Sequence, residues 1–198
     1  MITANIEKIK QQLPPHVKLI VVSKTRPVEM LMEAYEAGQR AFGENKVQEM
    51  VAKQPLLPAD TEWHLIGHLQ SNKVKYIAPF VHLIHSVDSV KLLETINKEA
   101  TKNNRIIHCL LQVHIAEEET KFGLNSGELF DLLSYNSTNN LDHVCICGLM
   151  GMATNTGNEQ QIEKEFTSLK NLFDELAGSS LIDPSLFTTL SMGMSSDY

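Results

Sequence analysis

Seven short apolar runs recur along this chain with room for a helix between successive ones, and that alternation leaves few folds open. The runs cover residues 18–23, 40–42, 63–66, 81–85, 106–115, 143–149 and 187–191, and their β-branched and aromatic content reads as strand. Between them the apolar residues change to helical period: Val28, Leu31, Met32 and Tyr35; Val47, Met50 and Val51; Val90, Leu93 and Ile96; Leu129, Leu132 and Leu133. A preceding helix carries Ile2, Ile6, Ile9 and Leu13 before Pro14 and Pro15 stop it, and the clearest one carries Ile162, Phe166, Leu169, Phe173 and Leu176. Gly38 and Gly178 are placed to close two of these helices, and Ser126 to open another.

Strands separated by helices pair in parallel, because antiparallel neighbours need no more than a tight turn. An open doubly wound sheet and a (β/α)8 TIM barrel both satisfy this. The short strands and the lack of a Gly-x-Gly-x-x-Gly turn after the first one favour the barrel, as one domain over residues 1–198. An eighth strand is not found. The sequence ends at Ser196, Asp197 and Tyr198, where a seventh loop should enter its helix, so the closing C-terminal helix and strand are expected to be absent from this chain.

Charge and cysteine content narrow the function classes. Seventeen Lys and Arg against 24 Asp and Glu give a net charge of -7, which offers no global basic surface to nucleic acid or an anionic membrane. No signal-peptide core and no bilayer-length apolar run appears, so a cytoplasmic protein is expected. Cys109, Cys145 and Cys147 lie inside apolar runs and read as reduced core thiols, since two thiols on one strand face do not make a zinc site. His64 with His68, and His82 with His85, have short spacing but no recognisable ligand pattern; no metal is expected. Glu117, Glu118 and Glu119 read as a solvated loop.

In a barrel, chemistry gathers where strands end. Lys24 follows the first strand directly, where desolvation in the barrel mouth would free its amine as a nucleophile; the position equally suits a lysine whose stem covers apolar surface with its head in water. Residues 43–45, 67–73 and 86–88 put polar groups at the next three exits. The last run ends in Ser191, Met192, Gly193, Met194 and Ser195, a small-residue loop whose backbone and hydroxyls suit a phosphate, with a helix expected behind it. Met150, Met152, Met192 and Met194 could line a cofactor ring or fill core.

Taken in order, residues 22–25 (VSKT), 42–45 (FGEN), 63–73 (WHLIGHLQSNK), 121–123 (KFG), 148–152 (GLMGM) and 190–195 (LSMGMS) closely resemble the pyridoxal phosphate homeostasis proteins, also described as proline-synthase co-transcribed homologues. The resemblance implies a barrel like the N-terminal domain of alanine racemase, with pyridoxal 5'-phosphate held as an imine on Lys24. It implies cofactor contacts at Asn45, Ser86 and Met152, and a phosphate loop formed by Ser191, Gly193 and Ser195. Family members continue into an Arg-x-Gly segment that this chain lacks.

The resemblance further implies a role in vitamin B6 and amino-acid homeostasis without established catalysis. Racemases of this fold draw their second base from an additional domain, for which 198 residues leave no length. A carrier that binds pyridoxal phosphate and passes it transiently to apo-enzymes is therefore expected, as a monomer; a small racemase or lyase acting on amino acids is the alternative.

Overall fold

The computed structural model describes residues 2–117 and 122–195. Helix α1 (Ile2–Gln12) precedes β1 (Val21–Val22), and then α2 (Val28–Glu36), β2 (Ala41–Glu44), α3 (Val47–Lys53), β3 (Glu62–Leu65), α4 (Val74–Ile77) and β4 (Leu83–Val87) alternate. The second half continues through α5 (Val90–Lys102), β5 (Ile107–Val113), α6 (Ser126–Asn139), β6 (Val144–Gly151), α7 (Glu159–Ala177) and β7 (Thr189–Ser191). The seven strands form one sheet in chain order, every neighbouring pair parallel.

The sheet curls. In a flat sheet β4 and β7 would stand roughly 14 Å apart, three strand spacings, yet His85 Nδ1 of β4 meets Ser191 Oγ of β7 at 2.9 Å. Among the described residues β7 and β1 do not pair, so the arrangement is a parallel barrel open on one side. Period-two alternation divides the strand residues between its two faces. Trp63, Leu65, Ile84, Cys109, Leu111 and Leu149 join the main core with Leu93, Ile96, Leu129 and Leu169 of the surrounding helices. Leu83, Leu110 and Met150 form a second, smaller cluster on the inner face, with Cys147 and Met152 against it.

Local chemistry sets most element ends where the sequence puts them. Gly38 at φ +83° ends α2: its N–H donates to Tyr35 O at 2.9 Å, and that of Gln39 to Ala34 O at 3.0 Å, the double bond pattern of a left-handed C-terminal cap. Gly178 closes α7 as expected. The opening of α6 differs from expectation, because Asn125 rather than Ser126 is the cap. Its Oδ1 accepts from Glu128 N at 3.0 Å while Glu128 Oε2 accepts from Asn125 N at 2.9 Å, a reciprocal pair that Ser126, already helical, does not make.

Several strand ends are also corrected: β5 stops at Val113 and β6 runs on to Gly151. β2 runs on through Gly43 and Glu44, because Glu44 is wholly buried and paired rather than being a polar exit. β4 runs through Ser86 and Val87, the Ser86 hydroxyl being satisfied by Gly67 O at 2.6 Å. No described helix is long and apolar enough to cross a membrane.

Candidate functional site at the strand C-terminal ends

Parallel pairing brings the residues after each strand to one end of the sheet, and Lys24 stands there after β1. Ser23 beneath it is buried, and its hydroxyl donates to Glu44 Oε1 at 2.8 Å. The Lys53 ammonium donates to that same Glu44 oxygen at 2.7 Å and to Ser23 O at 2.9 Å. On the other side of Lys24, Thr25 sits at φ +61°, costly for a β-branched residue, and its N–H is taken by Glu49 Oε2 at 2.8 Å. That N–H, followed by the Lys53 charge, holds the Glu49 carboxyl below its usual range despite its partial desolvation. Both neighbours of Lys24 are thus pinned while Lys24 itself is exposed. The described residues do not form the desolvated slot expected from sequence: they fix the backbone on either side of Lys24 and leave the residue exposed.

The next three exits interlock. A Cβ on Gly67 would lie 2.4 Å from Asn45 O, so the loop after β3 crosses the half-buried Asn45 at a distance that glycine alone permits. Ser86, fully buried in β4, ties the Gly67 carbonyl from the other side. His68 pairs with Asp88 at 3.2 Å and stacks on Phe122, centroids 4.3 Å apart, so it points away from His64 and the two do not converge on a metal.

Ser191 ends a buried chain. His64 Nδ1 lies 2.9 Å from His85 Nε2, and His85 Nδ1 the same distance from the Ser191 hydroxyl. Burial, then the neighbouring His82, pushes His85 down to about 4, and burial with the nearby rings holds His64 lower still. Both are therefore neutral near pH 7, which leaves Ser191 bonded to a neutral ring. Beyond it Gly193 lies at φ +85° with open space beside its Cα, and residues 193–195 are exposed. These are features that admit an anion. The helix expected behind this loop, with residues 196–198, falls outside the described residues, as do Glu118, Glu119 and Lys121.

Met152 is half-buried, and the loop it enters is tied down by Glu165 of α7, which accepts from Thr154 N and Thr154 Oγ1, each at 2.7 Å. Met150 is buried; Met192 and Met194 are exposed. The described surface also has a groove between Lys10, Pro14, Lys18 and Arg40, but those residues precede β1 and β2 and so lie at the opposite end.

Sequence reading placed Lys24, Asn45, Ser86, Met152 and Ser191 at this end and missed what supports them: Glu44, Lys53, His85 and Glu165. A usable signal existed for Lys53, four residues after Glu49 on one helix face.

Comparison with known proteins agrees with this fold. The family model for the alanine racemase N-terminal domain matches residues 1–198. A pyridoxal phosphate homeostasis protein of Aquifex aeolicus is 41% identical over 91% of this chain and 78% of its own length. One from Helicobacter pylori is 38% identical over 98% of this chain and 85% of its own. The chain belongs to the pyridoxal phosphate homeostasis protein family. Among solved structures, PipY of Synechococcus elongatus without pyridoxal phosphate superposes over the whole chain and 91% of PipY, with a TM-score of 0.92 and 40% identity. The form of PipY with pyridoxal phosphate bound gives 0.88 and 38% over the same shares. Alanine racemase from Bartonella henselae, 17% identical, shares the fold at a TM-score of 0.74 over 98% of this chain and 52% of the racemase.

Proposed function

We propose that this protein holds pyridoxal 5'-phosphate through the Lys24 amine and releases it to apo-enzymes, as a monomeric cytoplasmic carrier rather than a catalyst. The observation that carries the reading is the pairing of a rigid backbone at residues 23–25 with a solvent-open Lys24 side chain. When bound, pyridoxal phosphate supplies an aldehyde that takes a primary amine and a phosphate that takes hydrogen-bond donors. The residues present fit both demands. Lys24 offers the amine. Ser191 and the backbone of Gly193 and Ser195 would offer donors for the phosphate; Asn45 and Met152 would stand beside the ring, and the buried Ser86, bonded to Gly67 O, would hold the loop behind them. An amine open to solvent can be reached and left again, which suits a carrier; an enzyme of this chemistry gains by excluding water. The relatives' common name and the PipY structure with pyridoxal phosphate support the same reading.

The test begins with the protein incubated with pyridoxal phosphate, reduced with borohydride and mapped by mass spectrometry. The modified peptide is expected to contain Lys24, with Lys24→Ala losing that signal. Wild-type protein modified elsewhere but not there refutes the assignment. Loaded protein mixed with an apo-aminotransferase should restore its activity and should leave added L-alanine and L-serine unracemised. Steady turnover of either amino acid would replace the carrier reading with an enzymatic one. Light scattering on the loaded and unloaded protein tests the monomer.

A further inference from the structure

The strand register supplies what the sequence lacks for a soft-metal site. Cys145 and Cys147 project from the same face of β6, and β5 places His108 directly opposite Cys145. The three donor atoms, one imidazole nitrogen and two sulfurs, all lie within 4.8 Å of one another. The two sulfurs are 3.6 Å apart. Two thiolates on one tetrahedral zinc, each with a metal–sulfur bond of about 2.3 Å, stand about 3.8 Å apart, so the pair already has the spacing of one edge of such a site.

We infer that His108, Cys145 and Cys147 form a binding site for a thiophilic divalent cation of the zinc class, on the inner face of the sheet near the start of β5 and β6. Both thiols are free and half-buried, whereas His108 is exposed, so a cation can enter past the imidazole and keep water in its fourth position. Cys109, the third cysteine, turns to the helix-facing core and takes no part. Binding replaces two S–H bonds by two metal–sulfur bonds and the imidazole lone pair adds a third, so two protons are released for each divalent ion and no redox partner is needed. The ion clips β5 to β6 at the end of the strands away from Lys24, which makes this site separate from the proposed cofactor site.

The test uses reduced, metal-free full-length protein titrated anaerobically with cobalt(II), whose thiolate charge-transfer and tetrahedral d–d bands report the ligand set. One equivalent should saturate both bands, and zinc(II) should abolish them. Cys145→Ser and Cys147→Ser should each remove the charge-transfer intensity expected of two thiolates, and His108→Asn should weaken binding at least tenfold. Because His108 is exposed, that last variant folds irrespective of metal. Cys109→Ala, checked by circular dichroism, should leave the bands intact. Absence of the bands at ten equivalents of cobalt, or bands that persist in the Cys145→Ser/Cys147→Ser double variant, overturns the site. Neither result bears on whether Lys24 takes pyridoxal phosphate.

Discussion

The Lys53 ammonium lies 2.7 Å from the wholly buried Glu44 carboxylate, and the same nitrogen donates to Ser23 O at 2.9 Å and reaches Glu49 Oε2 at 3.5 Å, on either side of Lys24. Removing it leaves a charge with no exposure and one fewer partner. Lys53→Met should therefore cost roughly 3–5 kcal/mol of unfolding free energy, as breaking one side of a buried ion pair does. Lys53→Met/Glu44→Gln should recover part of that loss, since the charge is gone while Ser23 keeps an oxygen to donate to. Urea denaturation of the wild type and both variants measures this. A double variant no more stable than Lys53→Met would mean that the pair contributes nothing beyond packing.

Gly67 is the contact point between three strand exits. A methyl group there would meet Asn45 O at 2.4 Å and Asn45 Cα at 2.7 Å, both backbone atoms that cannot rotate aside. Gly67→Ala should lose about 1–3 kcal/mol, the usual cost of forcing a group into filled space, and should loosen Asn45 and Ser86 together. The proposed reading then expects weaker pyridoxal phosphate binding with the Lys24 adduct still formed. Chemical denaturation and equilibrium titration check the two halves separately.

The alternation of elements, the parallel sheet and the end of the sheet that carries Lys24, Asn45 and Ser191 were legible in the sequence, because they rest on local periodicity and on which end of a parallel strand a residue lies toward; Ser86, read as an exit, lies inside β4. What holds those exits in place was not. Glu44 looks like a polar residue leaving a strand until Lys53, on the next helix, folds back to neutralise it. His85 reads as one more strand histidine until the curl of the sheet carries it to Ser191, 106 residues away in sequence. The Ser126 cap was a near miss of the same kind: Asn125 and Glu128 satisfy the capping box, a local pattern that was available but passed over. The third donor beside Cys145 and Cys147 depends on strand register, which no single segment encodes.

The neutral His85 makes stability depend on pH in a definite direction. Its proton affinity falls from 6.5 in the unfolded chain to about 4 in the fold, chiefly by burial. The unfolded chain therefore binds the extra proton first, and the stabilisation present above pH 6.5 is lost as pH falls toward 4. A shift of this size amounts to on the order of 3 kcal/mol. Melting temperature recorded from pH 7.5 to 4 should fall through this window, and His85→Asn should make the fall shallower without removing it, because His64 titrates in the same sense. An unchanged slope in His85→Asn would assign the acid sensitivity to other groups.

Glu165 links α7 to the loop that follows Met152. Burial works to raise its carboxyl, but the N–H and hydroxyl of Thr154 and the amide of Gln161 together bring it below its ordinary value. Such a carboxylate stabilises the fold above its unfolded value of 4.5 and loses that contribution as pH falls through the lower, folded value. Glu165→Gln presents one acceptor oxygen where two were used, so either the buried Thr154 N–H or its hydroxyl is left without its partner, at about 1–3 kcal/mol. At pH 7 the variant should be less stable by that amount, and the gap should narrow below pH 4.5 as the wild-type carboxylate takes up its proton. Since Thr154 is two residues from Met152, release of pyridoxal phosphate from the loaded variant should also be faster, while the borohydride-trapped peptide still contains Lys24. A stability gap that stays constant across the acid range would mean that Glu165 acts through its shape rather than its charge.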